Sequence, residues 1–329
     1  MSLYKALEDM NVRVDGESAT MFFQRELEHR KAQTYDVIRA PLRAFEQIPV
    51  DSTAGPGAES IVYEQYDMTG IAKIIANYAD DLPRADVKGK EFVARVKSVG
   101  SSYGYSLQEI RNAQLAGKSL EQRKANASGR AQRETWNQVA YYGDAEHGLG
   151  GWLTNENIPS EAASTKTAGG TNWLNADGSA NATTDEVLAD LNAVANDIVD
   201  NTNGAEVPDT IVMPIRHYNY IASTRQDSGT DTTILQYFLN NNPYITDVMW
   251  ANEFSEDQRT KFLGEEDPFT GGIMIAYERD ADKLTFEMPQ PFEQLPVQER
   301  NLEFVVPCHS RIAGTLVYYP LSMNIMEGI

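Results

Sequence analysis

The stretch SLQEIRNAQLAGKSLEQRKANASGRAQRETWNQVAYYG, residues 106–143, decides how the rest of the chain is read. Ser106 and Glu109 stand in the Ser-x-x-Glu spacing, where each side chain satisfies the other's backbone N–H, so a helix begins here. No proline interrupts the residues after them, and Ala, Leu, Gln, Glu, Lys and Arg, all good helix formers, dominate. Gly143 can take the left-handed conformation that closes a helix. One helix over this stretch would be roughly 55 Å long at about 1.5 Å per residue. Its expected apolar stripe is thin: Leu107, Ile110, Ala113, Ala116, Leu120, Ala127, Ala131, Trp136 and Val139, mostly alanine through the middle. Sustained large residues at paired heptad positions are missing, which excludes a coiled coil. The pattern predicts a strut lying on a sheet and wet along one side, with Arg111, Lys118, Arg123, Lys124, Arg130 and Arg133 around it. Gly117 and Gly129 permit bending or close backbone approach.

The chain of 329 residues is long enough for one large or two medium domains, and its net charge is −20. The charge is unevenly placed. Through Tyr142 there are 19 basic and 19 acidic residues, and from Gly143 onward 9 and 29. A surface of that sign argues against a sequence-reading nucleic-acid protein. The single cysteine, Cys308, excludes an intrachain disulfide and a cysteine-based zinc site. No apolar run reaches membrane-spanning length and the N-terminus has no signal-peptide core, so a soluble cytoplasmic product is expected.

Residues 1–48 read as an arm: Phe22 and Phe23 lie among charges, with too few apolar groups to close a core. After the Gly/Pro/Ser punctuation of 51–57, Ser60–Thr69 and Phe92–Val99 alternate apolar and polar residues and read as strands. About 20 residues separate them, too many for a tight hairpin, with an apolar cluster at Ile71, Ile74, Ile75 and Tyr78. A lone two-stranded ribbon is unstable in water, so something else must cover it. Beyond the long helix an irregular polar region runs to Ala182. Thr183 and Glu186 then cap an amphipathic helix over 185–201, a buried strand follows at Thr210–Met213, and Pro214 reads as a turn. A helix at Ile234–Leu239 and strands at 245–250, 272–277, 284–288, 302–306 and 312–319 complete an α+β domain.

Little in this chain looks catalytic. His29, His147, His217 and His309 share no metal-ligand spacing. Cys308 and His309, as strand neighbours, point to opposite faces and cannot act as a dyad. Gly148-Leu149-Gly150-Gly151 lacks the glycine pattern and the lysine of a phosphate loop. Asn175, Asp177, Ser179, Asn181 and Glu186 match calcium-loop spacings, but Ala180 stands where that turn needs glycine, leaving a polar lead-in to a capped helix. Asp80-Asp81 and Glu265-Glu266-Asp267 read as solvated turns. No cofactor or metal is expected.

An arm, an extended two-strand loop, a long thin helix and an α+β domain, in that order, resemble the major capsid proteins of tailed bacteriophages with the Hong Kong 97-type fold. Ser106–Ile110 through Gly143-Asp144, then Gly148-Leu-Gly-Gly-Trp-Leu153, is similar to that fold's spine helix and the segment after it. Asp209-Thr-Ile-Val-Met-Pro214 resembles the central strand of its axial domain, and Arg311-Ile-Ala-Gly314-Thr-Leu-Val-Tyr-Tyr-Pro320 its closing strand. Over nearly its full length the chain resembles a phage capsid family once known only as a domain of unknown function. The resemblance implies an N-terminal arm (1–48), an extended loop (49–100), a peripheral domain (101–183 and 277–305) with the spine helix at 106–143, and an axial domain (184–276 and 306–329).

It also implies partners. Copies of the chain would form hexamers and pentamers through heterologous contacts, with Phe22, Phe23, Ile71, Ile74, Ile75 and Tyr78 as contact candidates. Arg111, Arg123, Lys124, Arg130 and Arg133 would face the lumen and balance packaged DNA without reading its sequence. With only residues 1–48 ahead of the loop, a separate scaffolding protein is expected, together with a portal and an optional decoration protein, and no covalent cross-link or membrane. The location implied is the virion, with assembly in the host cytoplasm. An encapsulin-like shell storing an enzyme is the alternative, and a soluble hydrolase using Cys308 or a histidine is the third reading.

Overall fold

The structure is a computed structural model that describes residues 39–69, 86–116, 121–227 and 229–329. Two compact units divide the chain, Met1–Pro41 and Leu42–Ile329, and the helices and strands of the described residues lie in the second. From its N-terminal side these are α1 (Ala44–Gln47), β1 (Val50–Asp51), β2 (Ser60–Thr69), β3 (Asp86–Arg95), β4 (Lys97–Ser106), α2 (Leu107–Ala116) and α3 (Glu121–Tyr142). The middle holds β5 (Ser160–Ala162), α4 (Thr184–Asn201), β6 (Thr210–Met213), α5 (Ile215–Ser223), α6 (Ile234–Asn241), β7 (Asp247–Trp250) and α7 (Glu256–Leu263). The last are β8 (Ile273–Tyr277), β9 (Leu284–Glu287), β10 (Gln290–Gln294), β11 (Gln298–Arg300), β12 (Glu303–Ile312), β13 (Gly314–Val317) and β14 (Met323–Glu327).

The run Ile273-Met-Ile-Ala-Tyr277 is buried at every position because it is the middle strand of a covered sheet of order β5-β14-β8-β6-β7. Its side chains alternate between two cores. Ile273, Ile275 and Tyr277 enter one with Trp152, Tyr141, Phe254 and Phe286, while Met274 and Ala276 enter the other. β6 divides likewise, Val212 to the first core and Ile211 and Met213 to the second. A strand covered on both faces therefore reads as an unbroken apolar run. The second core is closed by α4, whose Val187, Leu188, Leu191, Val194 and Ile198 are all buried. Each such side chain contributes about 1.5–3 kcal/mol relative to exposure. The α4 cap forms as its spacing predicts: Thr183 Oγ1 accepts from Glu186 N–H at 3.4 Å, and Glu186 accepts from Thr183 N–H at 2.7 Å.

In a second sheet, β12 pairs along one edge with β10 and β11 and along its full length with β4, from Glu303↔Ser106 to Ile312↔Lys97. β1, β9 and β13 form a third sheet, and among the described residues β2 and β3 pair only with each other.

Several expectations change. The strand expected over Phe92–Val99 is two strands parted at Val96, which is 7% exposed and donates its N–H to Glu59 O. Pro214 is the N-cap of α5 rather than a turn, since a helix start leaves its first N–H groups unpaired and does not miss proline's. Ala44 and Ile48, inside the stretch read as an arm, belong to the first core. Asp267 is no solvated turn: it pairs with the fully buried Arg259 at 3.2 Å, and that guanidinium also donates to Phe254 O and Gly271 O. The stretch read as one helix appears as α2 and α3 on either side of residues 117–120, which lie outside the described residues.

Candidate assembly surfaces

In the β2–β3 ribbon, the register pairs Val62 with Val93, Glu64 with Glu91, Tyr66 with Gly89, and Tyr63 with Phe92. Alternation then separates two faces. On one, Tyr63 stacks on Phe92 with ring centroids 5.0 Å apart and meets the edge of Tyr318 at 4.9 Å, so the base of the ribbon is held to the body. The other face presents Val62, Val93, Tyr66 and Val87, 48–60% exposed, and no described residue covers it. Tyr66 lies over Gly89, where an added Cβ would come within 2.9 Å of the ring, so the glycine leaves room for the aromatic. The same face carries Glu64 opposite Glu91 between the Val62–Val93 pair and Tyr66, so its exposed apolar side chains stand in clusters parted by acids, and such clusters mark a protein contact.

Other apolar side chains also stand bare. Leu115 at the end of α2 is 92% exposed, and Leu302, Val297 and Leu295 project around the turns joining β10, β11 and β12. The cap of α2 matches its spacing, with Ser106 N–H donating to Glu109 at 3.0 Å and Glu109 N–H to Ser106 Oγ at 3.1 Å.

The seat of α3 differs from the expected alanine stripe. Ala127 and Ala131 are exposed, while Ser128 and Gln132 are buried. Lys124, Ser128, Gln132 and Trp136, each one turn beyond the last, face the β4–β12 sheet. Lys124 Nζ donates to Gly104 O at 2.7 Å, Ser128 Oγ meets Ser101 Oγ at 2.8 Å, and Gln132 Nε2 donates to the same Oγ at 2.9 Å. Trp136 Nε1 donates to Ser310 Oγ at 3.1 Å. β4 is rich in serine and glycine, so polar helix residues find partners there that a sequence scan for apolar spacing does not credit. The C-terminal end is closed as expected, with Gly143 at φ +69° and its N–H on Val139 O.

Of the basic candidates, Arg111, Arg123 and Arg133 are exposed. Lys124 is held at the sheet edge by Glu109 at 3.1 Å, and Arg130 pairs with Glu134 at 2.9 Å, so their charges are met within the chain. Phe22, Phe23, Ile71, Ile74, Ile75 and Tyr78 lie outside the described residues.

Among the described residues there is no group of three or more His, Cys, Asp or Glu able to hold a metal, and no helix is long and apolar enough to cross a membrane. The calcium-loop residues are otherwise engaged: Glu186 accepts from Thr167 and Thr183, and those bonds pull its carboxyl down to about 2. Cys308 is buried, whereas His309 on the next position is not. Sequence reasoning missed the buried Lys166–Asp190 pair, in which Asp190 also accepts from Trp173 Nε1 at 2.7 Å. Near it, Glu161 is pushed up to about 7 by burial and then by Asp197.

A ribbon bare on one face, a long helix seated by polar contacts and a sheet buried on both sides define a building block of a protein shell with the Hong Kong 97-type fold. The chain belongs to the major capsid protein family, whose model matches residues 70–329. It is similar to the capsid of Myoviridae phage XM1, with a TM-score of 0.78 at 18% identity over 95% of this chain and 100% of that one. A protein of Mycobacterium phage Adephagia gives 0.60 at 11% identity, covering 96% and 98%. The virus-like particle from Pyrococcus furiosus gives 0.51 at 12% identity, covering 86% and 91%. At these identities the likeness is one of fold. No curated protein matches the chain.

Proposed function

We infer that this protein is the major capsid subunit of a tailed bacteriophage, assembling as hexamers and pentamers into an icosahedral shell around double-stranded DNA. The observation that carries the reading is the bare apolar face of the ribbon in a chain of this family. Surface of that kind is unfavourable in water and becomes favourable once a sister copy lies across it. On this reading the arm, the extended loop, the peripheral domain and the axial domain keep the boundaries implied by the resemblance, with the body starting a few residues before 49. The role is structural rather than catalytic. A separate scaffolding protein guides assembly in the host cytoplasm, a portal occupies one vertex, a decoration protein is an optional addition, and Arg111, Arg123 and Arg133 balance DNA charge. An enzyme-storing nanocompartment is the second reading, and particles filled with enzyme rather than DNA would favour it.

Two measurements test this. Negative-stain images of the purified chain, alone and with a scaffold, should show closed particles, and particles from infected cells should protect DNA rather than enzyme cargo. Deleting residues 71–78 should leave a soluble subunit that cannot close shells. Normal particles from that deletion would count against the reading.

A further inference from the structure

The sheet of β1, β9 and β13 carries an imbalance that the shell reading alone leaves unexplained. Glu287 is 2% exposed, yet its carboxylate meets only neutral donors, Thr285 Oγ1 at 3.0 Å and Tyr318 Oη at 3.1 Å. Its partner on the neighbouring strand is Asp51, whose carboxylate accepts from the N–H and hydroxyl of Thr53. Neither acid has a cationic partner among the described residues. Lys283, whose ammonium lies 4.7 Å from the ring centre of Tyr319, is already committed to Glu206 at 2.5 Å and Glu278 at 3.7 Å. Burial first, and then Asp51, push the Glu287 carboxyl up. A buried carboxylate set beside a second, part-exposed one is unfavourable until a cation or a proton joins it.

Beside them opens a cleft of about 770 Å³, lined by Asp51, Tyr63, Tyr66, Thr285, Tyr318 and Tyr319 among others. Carboxylates give charge-assisted hydrogen bonds and tyrosine faces attract a cation electrostatically, a combination suited to a guanidinium or ammonium group. Glu64 and Asp282 also line the cleft, yet among the described residues no three acids, histidines or cysteines come together as a divalent metal would need. We propose that this cleft is a socket for an arginine or lysine side chain of a second copy of the chain, with Asp51 on its wall and Glu287 just behind Thr285 and Tyr318 as counter-charges and the tyrosines as walls. The choice of a sister copy rests on the shell reading and on charge. Residues 143–329 carry 29 acidic against 9 basic residues, while residues 1–142 are balanced and bring 19 basic ones.

The test is the double variant Asp51→Asn, Glu287→Gln in the full chain, with Glu287→Gln alone beside it. Glutamine keeps an acceptor for the Thr285 and Tyr318 hydroxyls, so the local geometry is retained. Removing the unmet charges should raise the urea midpoint of the unassembled protomer. In shells the same change removes the partner's counter-charge, and the concentration at which shells dissociate on dilution should rise about tenfold. A role confined to folding would move protomer and shell in the same direction, which would overturn the proposal. So would unchanged resistance to dilution. Density for a wild-type shell should show a neighbour's cationic side chain in the cleft. Shells that form normally with that cleft empty would refute the socket alone, whereas a wild-type chain that never assembles would refute the shell reading and the socket with it.

Discussion

Gly148 and Gly151 lie three residues apart and should tolerate a methyl group very differently. A Cβ at 151 would fall 2.2 Å from Gly143 N and 2.3 Å from Tyr142 C, so backbone must move. Gly148 has φ +70° but open space around it, so alanine there meets only the cost of the left-handed conformation. Gly151→Ala should lose about 3 kcal/mol or more of stability and Gly148→Ala about 1, both measured by urea denaturation. Equal losses would mean that the turn packs less tightly than described. Glu161 makes a pH prediction. Its folded value, about 7, lies above the ordinary 4.5, so the folded state holds the proton more tightly than the unfolded state. The site therefore favours folding below pH 4.5, and that contribution declines as pH rises to about 7. Glu161→Gln should flatten the difference in melting temperature between pH 5 and pH 8, and an unaltered difference would contradict the assignment.

At the scale of elements, α3 separates what the sequence discloses from what it hides. Its bulky end is legible, since Trp136 and Val139 fall at helical spacing and are buried. The middle is not, because Ser128 and Gln132 are buried only by virtue of Ser101 on another strand. On the unassembled protomer, Trp136→Ala should cost about 3–5 kcal/mol. Ala131→Leu, in the apolar stripe expected from spacing but on the wet side, should change stability by less than about 0.5 kcal/mol. A large loss from Ala131→Leu would restore the alanine stripe. The caps at Ser106 and Thr183 are readable because they join residues three apart. α7 is not, since its anchor is Arg259, a residue type rarely buried without partners, and those partners lie in Phe254, Asp267 and Gly271. Among the surfaces, the ribbon can be read from alternation alone, whereas the Asp51–Glu287 pairing requires the parallel register of β1 and β9.

For the whole molecule, the decisive quantity is the surface the protomer leaves unfinished. Its central sheet is closed on both faces, while the ribbon is held to the body at its base and left bare at Val62, Val93, Tyr66 and Val87. That contrast makes assembly an extension of folding: the apolar burial that completes the sheet inside one chain is completed for the ribbon between chains. The most direct measurement changes only the bare face, by combining Val62→Lys with Val93→Glu. These positions are directly paired, so opposite charges preserve the ribbon while removing its apolar surface. The account predicts a protomer whose melting temperature is unchanged and negative-stain fields with no closed shells. Shells of normal number and size from this variant would contradict it.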